Sequence, residues 1–185
     1  ILLEGIFFYN FTTPEFNVNV CQLPFWALSI FFTWRCINSD KTHDFILLGL
    51  FMGFGFLSKY LFLYLIISIK LLFIYLLIKK KIKSFKFLLV GPVALLIIFP
   101  HLIWLVENDF TTLTYGLKRI GNEYNIINHI TYPVMFIFKQ LGLLLPFLIL
   151  FLLLIKKLSV KNFELEKKTI FLIFTCIVPI LLIFL

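Results

Sequence analysis

The sequence predicts an all-α protein: a polytopic bundle of transmembrane helices, read as incomplete at both ends. Three observations predict it. The chain is 62% hydrophobic over 185 residues, with a mean hydropathy of +1.05, against roughly 45–50% apolar residues in an ordinary soluble domain. Its runs of Leu, Ile and Phe are long enough to cross a bilayer, which takes roughly 20 helical residues. Its lysines gather in two clusters, Lys79, Lys80, Lys81, Lys83 and Lys86, then Lys156, Lys157, Lys161, Lys167 and Lys168. Short Lys-rich loops stay on the cytoplasmic side of a membrane, so both clusters are assigned to one face. The net charge of +8 is then a signal of orientation and of contact with anionic headgroups, not of nucleic acid.

The elements follow in order. Residues 1–9 read as the tail of a first span. Asn10 to Asn19 is a polar loop, with Thr12, Thr13, Pro14 and Glu15 leading into the next helix. Residues 20–36 form a span ending at Arg35, whose long side chain can snorkel to the interface. Ile37 to Asp44 is a short polar loop. Residues 45–78 are too long for one ordinary span and are interrupted by Gly53, Gly55, Ser58 and Lys59. Two short helices meeting near Lys59 are expected there, with Lys59 on the face opposite the lysine clusters. Residues 79–86 form the first cytoplasmic loop. Residues 87–105 cross outward, with Pro92 and Pro100 as expected kink points. Residues 107–130 are the longest polar stretch and are read as an outer loop. Residues 131–155 return, 156–168 form the second cytoplasmic loop, and 169–185 begin a further span. This makes a single transmembrane domain over 1–185, with about seven full or partial spans.

An ionisable residue at the edge of a span is a candidate functional residue. Three polar groups fall on the outer face: Glu15 with Asn17 and Asn19, the Lys59–Tyr60 break, and the segment holding His101, Trp104, Glu107, Asn108 and Asp109. Each also has a bland reading. Glu15 suits a helix N-terminus as a cap, Lys59 suits a snorkelling anchor, and Trp104 suits the aromatic belt. His101 suits a satisfied core position. In the functional reading Lys59 is a point charge for a phosphate, with Lys139 beside Gln140 as a second. Lys70 falls near mid-membrane or at an early inner interface, and the pattern leaves both open. The three cysteines, Cys21, Cys36 and Cys176, lie far apart with no metal-ligand spacing, so no metal or cofactor is expected. The chain has no phosphate-loop, nucleophile-elbow or zinc-helix motif, which removes support for cytosolic nucleotide chemistry.

Four segments carry a family resemblance. Gly53-Phe54-Gly55-Phe56-Leu57-Ser58-Lys59-Tyr60 resembles the G-x-G-x-x-x-K-Y turn of glycosyltransferases that use polyprenyl-phosphate sugars. Pro100 to Phe110 is similar to their P-x-x-x-W-x-x-x-N/H-D-F/W segment. Thr13-Pro14-Glu15 through Phe25-Trp26 is similar to their T-P/T-D…F-W helix start, and Gln140-Leu141-Gly142 with Pro146 to their Q-x-G-x-x-x-P span. The matches come in family order and cover most of the chain to about residue 150. They resemble glycosyltransferase family 39, the protein-mannosyltransferase-like group of the GT-C superfamily, which includes the lipid A aminoarabinose transferases.

The resemblance implies a multispanning enzyme that moves a sugar from a polyprenyl-phosphate carrier to a lipid or protein acceptor at the exoplasmic face, without a nucleotide donor. The residues expected to contact substrate are Glu15, Asn17, Lys59, Tyr60, His101, Trp104, Glu107, Asn108, Asp109 and Lys139. The family's catalytic carboxylate lies in the first outer loop and is expected upstream of Ile1. Glu15 stands where the family usually has Asp. The Phe, Ile and Lys bias fits an AT-rich genome, so a bacterial inner membrane is the expected location. Two other classes remain open. A transporter or lipid flippase without chemistry also uses Gly-interrupted helices, although no matching broken helix is seen in a second half. A structural membrane subunit predicts no convergence of the polar segments.

Overall fold

The computed structural model describes residues 18–82, 85–120, 126–154 and 167–183. These are helical, with no strand among them, as the apolar runs predict. Helix α1 spans Val18–Ser39 and α2 spans Thr42–Ser58. A 3-10 turn, Tyr60–Phe62, leads into α3, Leu63–Ile78. A second 3-10 turn, Lys86–Leu89, leads into α4, Val90–Glu107. Then come α5, Thr111–Ile120, and α6, Ile126–Leu154. The last elements are α7, Lys167–Leu172, a π-turn at Ile173–Ile177, and α8, Val178–Ile183.

By length and composition, three stretches among the described residues can cross a membrane: Val18–Ser39, Tyr60–Ile78 and Lys86–Glu107. Their outer surfaces carry large exposed apolar side chains such as Ile78, Leu95, Leu96 and Phe99. In water such a surface would be a liability; in a bilayer it is solvated. The protein is an integral membrane protein with an all-α fold.

The chain divides into two compact units. One is Asn17–Gly116 with Leu165–Leu185, and the other is Ile1–Phe16 with Leu117–Glu164. In the second unit the described residues form the last turn of α5 and the 29-residue α6.

The first unit is built by short connections. Helix α1 ends at Asp40, which takes a left-handed φ of 48°. Its last carbonyls are capped from within, by Asn38 Nδ2 to Trp34 O at 2.8 Å and Ser39 Oγ to Arg35 O at 2.8 Å. These bonds carry the helix past Arg35, so the polar loop expected over 37–44 shrinks to Asp40 and Lys41. Helix α2 returns antiparallel, bringing Phe54 within 5.8 Å of Phe25 and Asp44 within 3.1 Å of Arg35. The core comes from Phe32, Phe45, Leu48, Met52, Phe62, Leu65, Ile69 and Leu72.

The break expected within 45–78 is at Lys59, whose backbone is extended between two helices. Two glycines make it possible. A Cβ on Gly53 would sit 2.7 Å from Ile97 Cβ and 3.1 Å from Ala94 O, so α2 and α4 approach closely only because none is there. A Cβ on Gly55 would strike the ring of Phe62, which folds back from the turn into the core against Trp26.

Helix α3 then runs away from Lys59, and α4 runs back parallel to α2. Helices α7 and α8 run antiparallel to α3. Phe171 packs on Trp34, Phe174 packs on Tyr75, and Ser68 Oγ donates to the Phe174 carbonyl. The unit therefore has two ends. One holds Asp40, Lys79, Lys80, Lys81 and Lys86, with Lys86 Nζ donating to Asp40 O at 2.6 Å. The other holds Asn19, Lys59, Tyr60 and His101.

Other expectations are corrected. Pro92 falls in the first turn of α4, where no intrahelical N–H is needed, so it is no kink point; Pro100 does lie inside the helix. The stretch from 107 is not all loop, because it holds α5, and the next helix begins at Ile126 rather than 131. In α5 Leu113, Leu117 and Ile120 recur at helical spacing among Thr, Lys118 and Arg119. That amphipathic pattern escapes a search for long apolar runs. Arg35 does not snorkel freely, since it pairs with Asp44.

Candidate functional site at the Lys59 end

The helix break presents Lys59 and Tyr60 at one end of the bundle. The Lys59 N–H closes on Gly55 O at 3.2 Å, and its carbonyl accepts from Phe62 N at 2.9 Å. The backbone polarity of the break is thus satisfied locally, which the hydrocarbon edge demands. Lys59 Nζ donates to Asn19 Oδ1 at 2.5 Å. An ammonium has three donors; one anchors Lys59, and the other two meet no partner among the described residues.

Tyr60 reaches sideways to α4 and α5. Its hydroxyl lies 2.7 Å from His101 Nε2 and 2.9 Å from Thr112 Oγ1. Its ring also contacts Phe56 and His101 at 5.3 Å and 5.9 Å between centroids. The His101 ring stacks on Trp104, 5.7 Å away and 12° from parallel. This one-turn spacing on α4 puts both rings on the same helix face. Trp104 is 42% exposed, so one aromatic face stays open beside a row of hydrogen-bonding groups.

Beyond Trp104 the helix ends in an acidic turn. Asn108 caps it twice, with its N–H and its Nδ2 on Trp104 O at 3.0 Å and 2.8 Å. The Asn108 side chain thus caps the helix with one of its amide donors. Asp109 and Phe110 both take left-handed φ values, 50° and 53°. Glu107 and Asp109 are exposed, and no ion pair engages them among the described residues.

Lys59, Tyr60, His101, Trp104, Glu107, Asn108 and Asp109 thus belong to one end of one unit. Glu15 and Asn17 lie outside the described residues. Lys139 is an exposed residue of α6 in the other unit. Sequence reasoning missed Thr112. The signal was present: Thr111 and Thr112 open the amphipathic run of α5. No His, Cys, Asp and Glu grouping among the described residues is arranged to hold a metal.

Two places outside this end also stand out. Asp44, fully buried at the lysine end, accepts from Ser39 Oγ at 2.6 Å and lies within 3.1 Å of Arg35 Nε and 3.2 Å of His43 Nε2. The Arg35 approach is not aligned as a hydrogen bond, so that attraction is Coulombic. A cavity of about 310 Å³ between α2, α3 and α4 is lined by Met52, Ile69, Phe73, Phe87 and Ala94, with Lys70 on its wall. It contains none of the residues at the Lys59 end.

Residues 1–104 match the family model described as dolichyl-phosphate-mannose-protein mannosyltransferase. No curated protein and no solved structure matches the chain.

Proposed function

Because the chain belongs to the dolichyl-phosphate-mannose-protein mannosyltransferase family, and so is a membrane glycosyltransferase that takes a lipid-linked sugar donor and an acceptor, we propose that it transfers the sugar from a polyprenyl phosphate to a lipid or protein acceptor at the exoplasmic face of a bacterial inner membrane. The observation that carries the reading is Lys59 in its helix break, held by Asn19, with two donors unpartnered among the described residues. The positive-inside rule assigns the opposite end, with Lys79 to Lys81 and Lys86, to the cytoplasm. That leaves the Lys59 end outside.

The chemistry follows from what departs. When the sugar leaves its carrier, negative charge develops on the phosphate. A fixed ammonium at that oxygen stabilises the transition state more than the ground state, which is what raises rate. Trp104 offers an open aromatic face for the apolar face of a sugar ring, with Tyr60 and His101 beside it. Glu107 and Asp109 accept hydrogen bonds from sugar hydroxyls. Glu15, Asn17 and Lys139 are kept as further candidate substrate contacts on the strength of the sequence alone.

The test uses membranes containing the full-length protein, supplied with a labelled polyprenyl-phosphate sugar or with a labelled nucleotide sugar. Transfer is expected from the first alone. Transfer from the nucleotide sugar refutes the donor class. Movement of the lipid-linked sugar across the bilayer without transfer would favour a flippase.

A further inference from the structure

We propose that Thr112 is a positioning residue, which through Tyr60 ties the acidic turn at Glu107–Asp109 and the His101–Trp104 stack to the Lys59 break. The inference rests on the transfer reading above and deepens it.

The turn between α4 and α5 needs outside support. Two consecutive residues with side chains, Asp109 and Phe110, sit in the left-handed region, where the Cβ crowds the following carbonyl. Such backbone persists only where its surroundings over-determine it. Within the turn, Phe110 N bonds Leu105 O at 2.9 Å and Thr111 N bonds Asn108 O at 3.1 Å. Those bonds shape the turn but do not fix it against the rest of the bundle. The Thr112 hydroxyl does, because it reaches Tyr60, which belongs to the break beside Lys59.

The direction of the bonds follows from acidity. A phenol is a better donor than an aliphatic hydroxyl, and a neutral imidazole nitrogen is a good acceptor. On the Nδ1–H tautomer of His101, Tyr60 donates to His101 Nε2 and Thr112 donates to Tyr60 Oη. The chain Thr112 to Tyr60 to His101 orients the imidazole. The His101 ring in turn lies flat against Trp104. One threonine hydroxyl thus ties two elements, the acidic turn and the aromatic platform, to the break that carries Lys59.

The experiment compares Thr112→Val, Thr112→Ser, Tyr60→Phe and the Thr112→Val/Tyr60→Phe double variant in the full-length protein. Two readouts are taken. Amide hydrogen exchange of the segment 108–116 reports the tether without any need for activity. Thr112→Val is expected to speed that exchange roughly threefold or more, while Thr112→Ser matches the parent. In the transfer assay, Thr112→Val lowers kcat roughly tenfold with a smaller change in KM, and Thr112→Ser restores it. The double variant loses no more than Tyr60→Phe alone, because both act through one chain of bonds. Unchanged exchange in Thr112→Val overturns the tether. Faster exchange with normal kcat, or losses that multiply in the double variant, overturns the positioning role. A parent protein that transfers no sugar overturns the functional reading, and the exchange result still decides the tether.

Discussion

Gly53→Ala and Gly91→Ala make the same chemical change in helices that touch, yet they are expected to move stability in opposite directions. On Gly53 the new Cβ lies 2.7 Å from Ile97 Cβ and 3.1 Å from Ala94 O. Comfortable carbon contacts lie at about 3.5–4.0 Å, so α2 and α4 must part by about 1 Å or distort. Overpacking of this kind costs about 1–3 kcal/mol. The better helix propensity of Ala returns at most about 1 kcal/mol, which leaves a net loss of up to about 2 kcal/mol. At Gly91, in the first turn of α4, a Cβ meets nothing within 4 Å. There only the reduced freedom of the unfolded chain counts, a gain of about 0.4–1 kcal/mol. The two variants should therefore differ by about 2 kcal/mol, roughly 30-fold in the ratio of folded to unfolded protein. Reversible unfolding of the purified protein, by heat or by titrating a denaturing detergent into mild micelles, measures the difference. A Gly53→Ala protein as stable as the Gly91→Ala protein would refute the close approach of α2 to α4.

Other outcomes follow from the same geometry. Lys59→Ala is expected to lower transfer roughly 100- to 1,000-fold with unchanged expression, the scale of losing one preorganised charge at a developing anion; near-normal turnover would make Lys59 an anchor and leave Lys139 as the phosphate contact. At the lysine end the two halves of the Arg35–Asp44 pair should not be equivalent, since Arg35 is 40% exposed and Asp44 is fully buried. Arg35→Met strands a buried carboxylate and should cost about 3 kcal/mol, whereas Asp44→Asn leaves an arginine that water can reach and should cost about 1–2 kcal/mol; equal melting shifts would contradict the asymmetry. A cysteine at Tyr115 should react with an impermeant thiol reagent from outside the cell, and one at Lys80 only after the cytoplasmic face is opened; the reverse pattern would invert the orientation.

The sequence by itself determined the solvent and the element type. A mean hydropathy of +1.05 and the long apolar runs leave helices as the way to satisfy the backbone in a bilayer. The clustered lysines gave the chain two ends, and Gly53, Gly55 and Lys59 marked a break, because glycine and a charge in an apolar run are costly and local. Only the tertiary structure decided which polar groups meet. Asn19 and Lys59 are separated by 40 residues, and Tyr60 and Thr112 by 52, so no local period links them. Asp44 looked like a loop residue because the polar residues around it hid that Ser39 and Asn38 continue α1. Helix α5 was hidden for a related reason: its apolar positions are sparse and spaced by helical turns, which shows only once amphipathic pattern is weighed above apolar length. Patterns of composition fix what a segment can bury. Partners distant in the chain are fixed by how the helices pack, and at this end they pack through the absence of a side chain at Gly53.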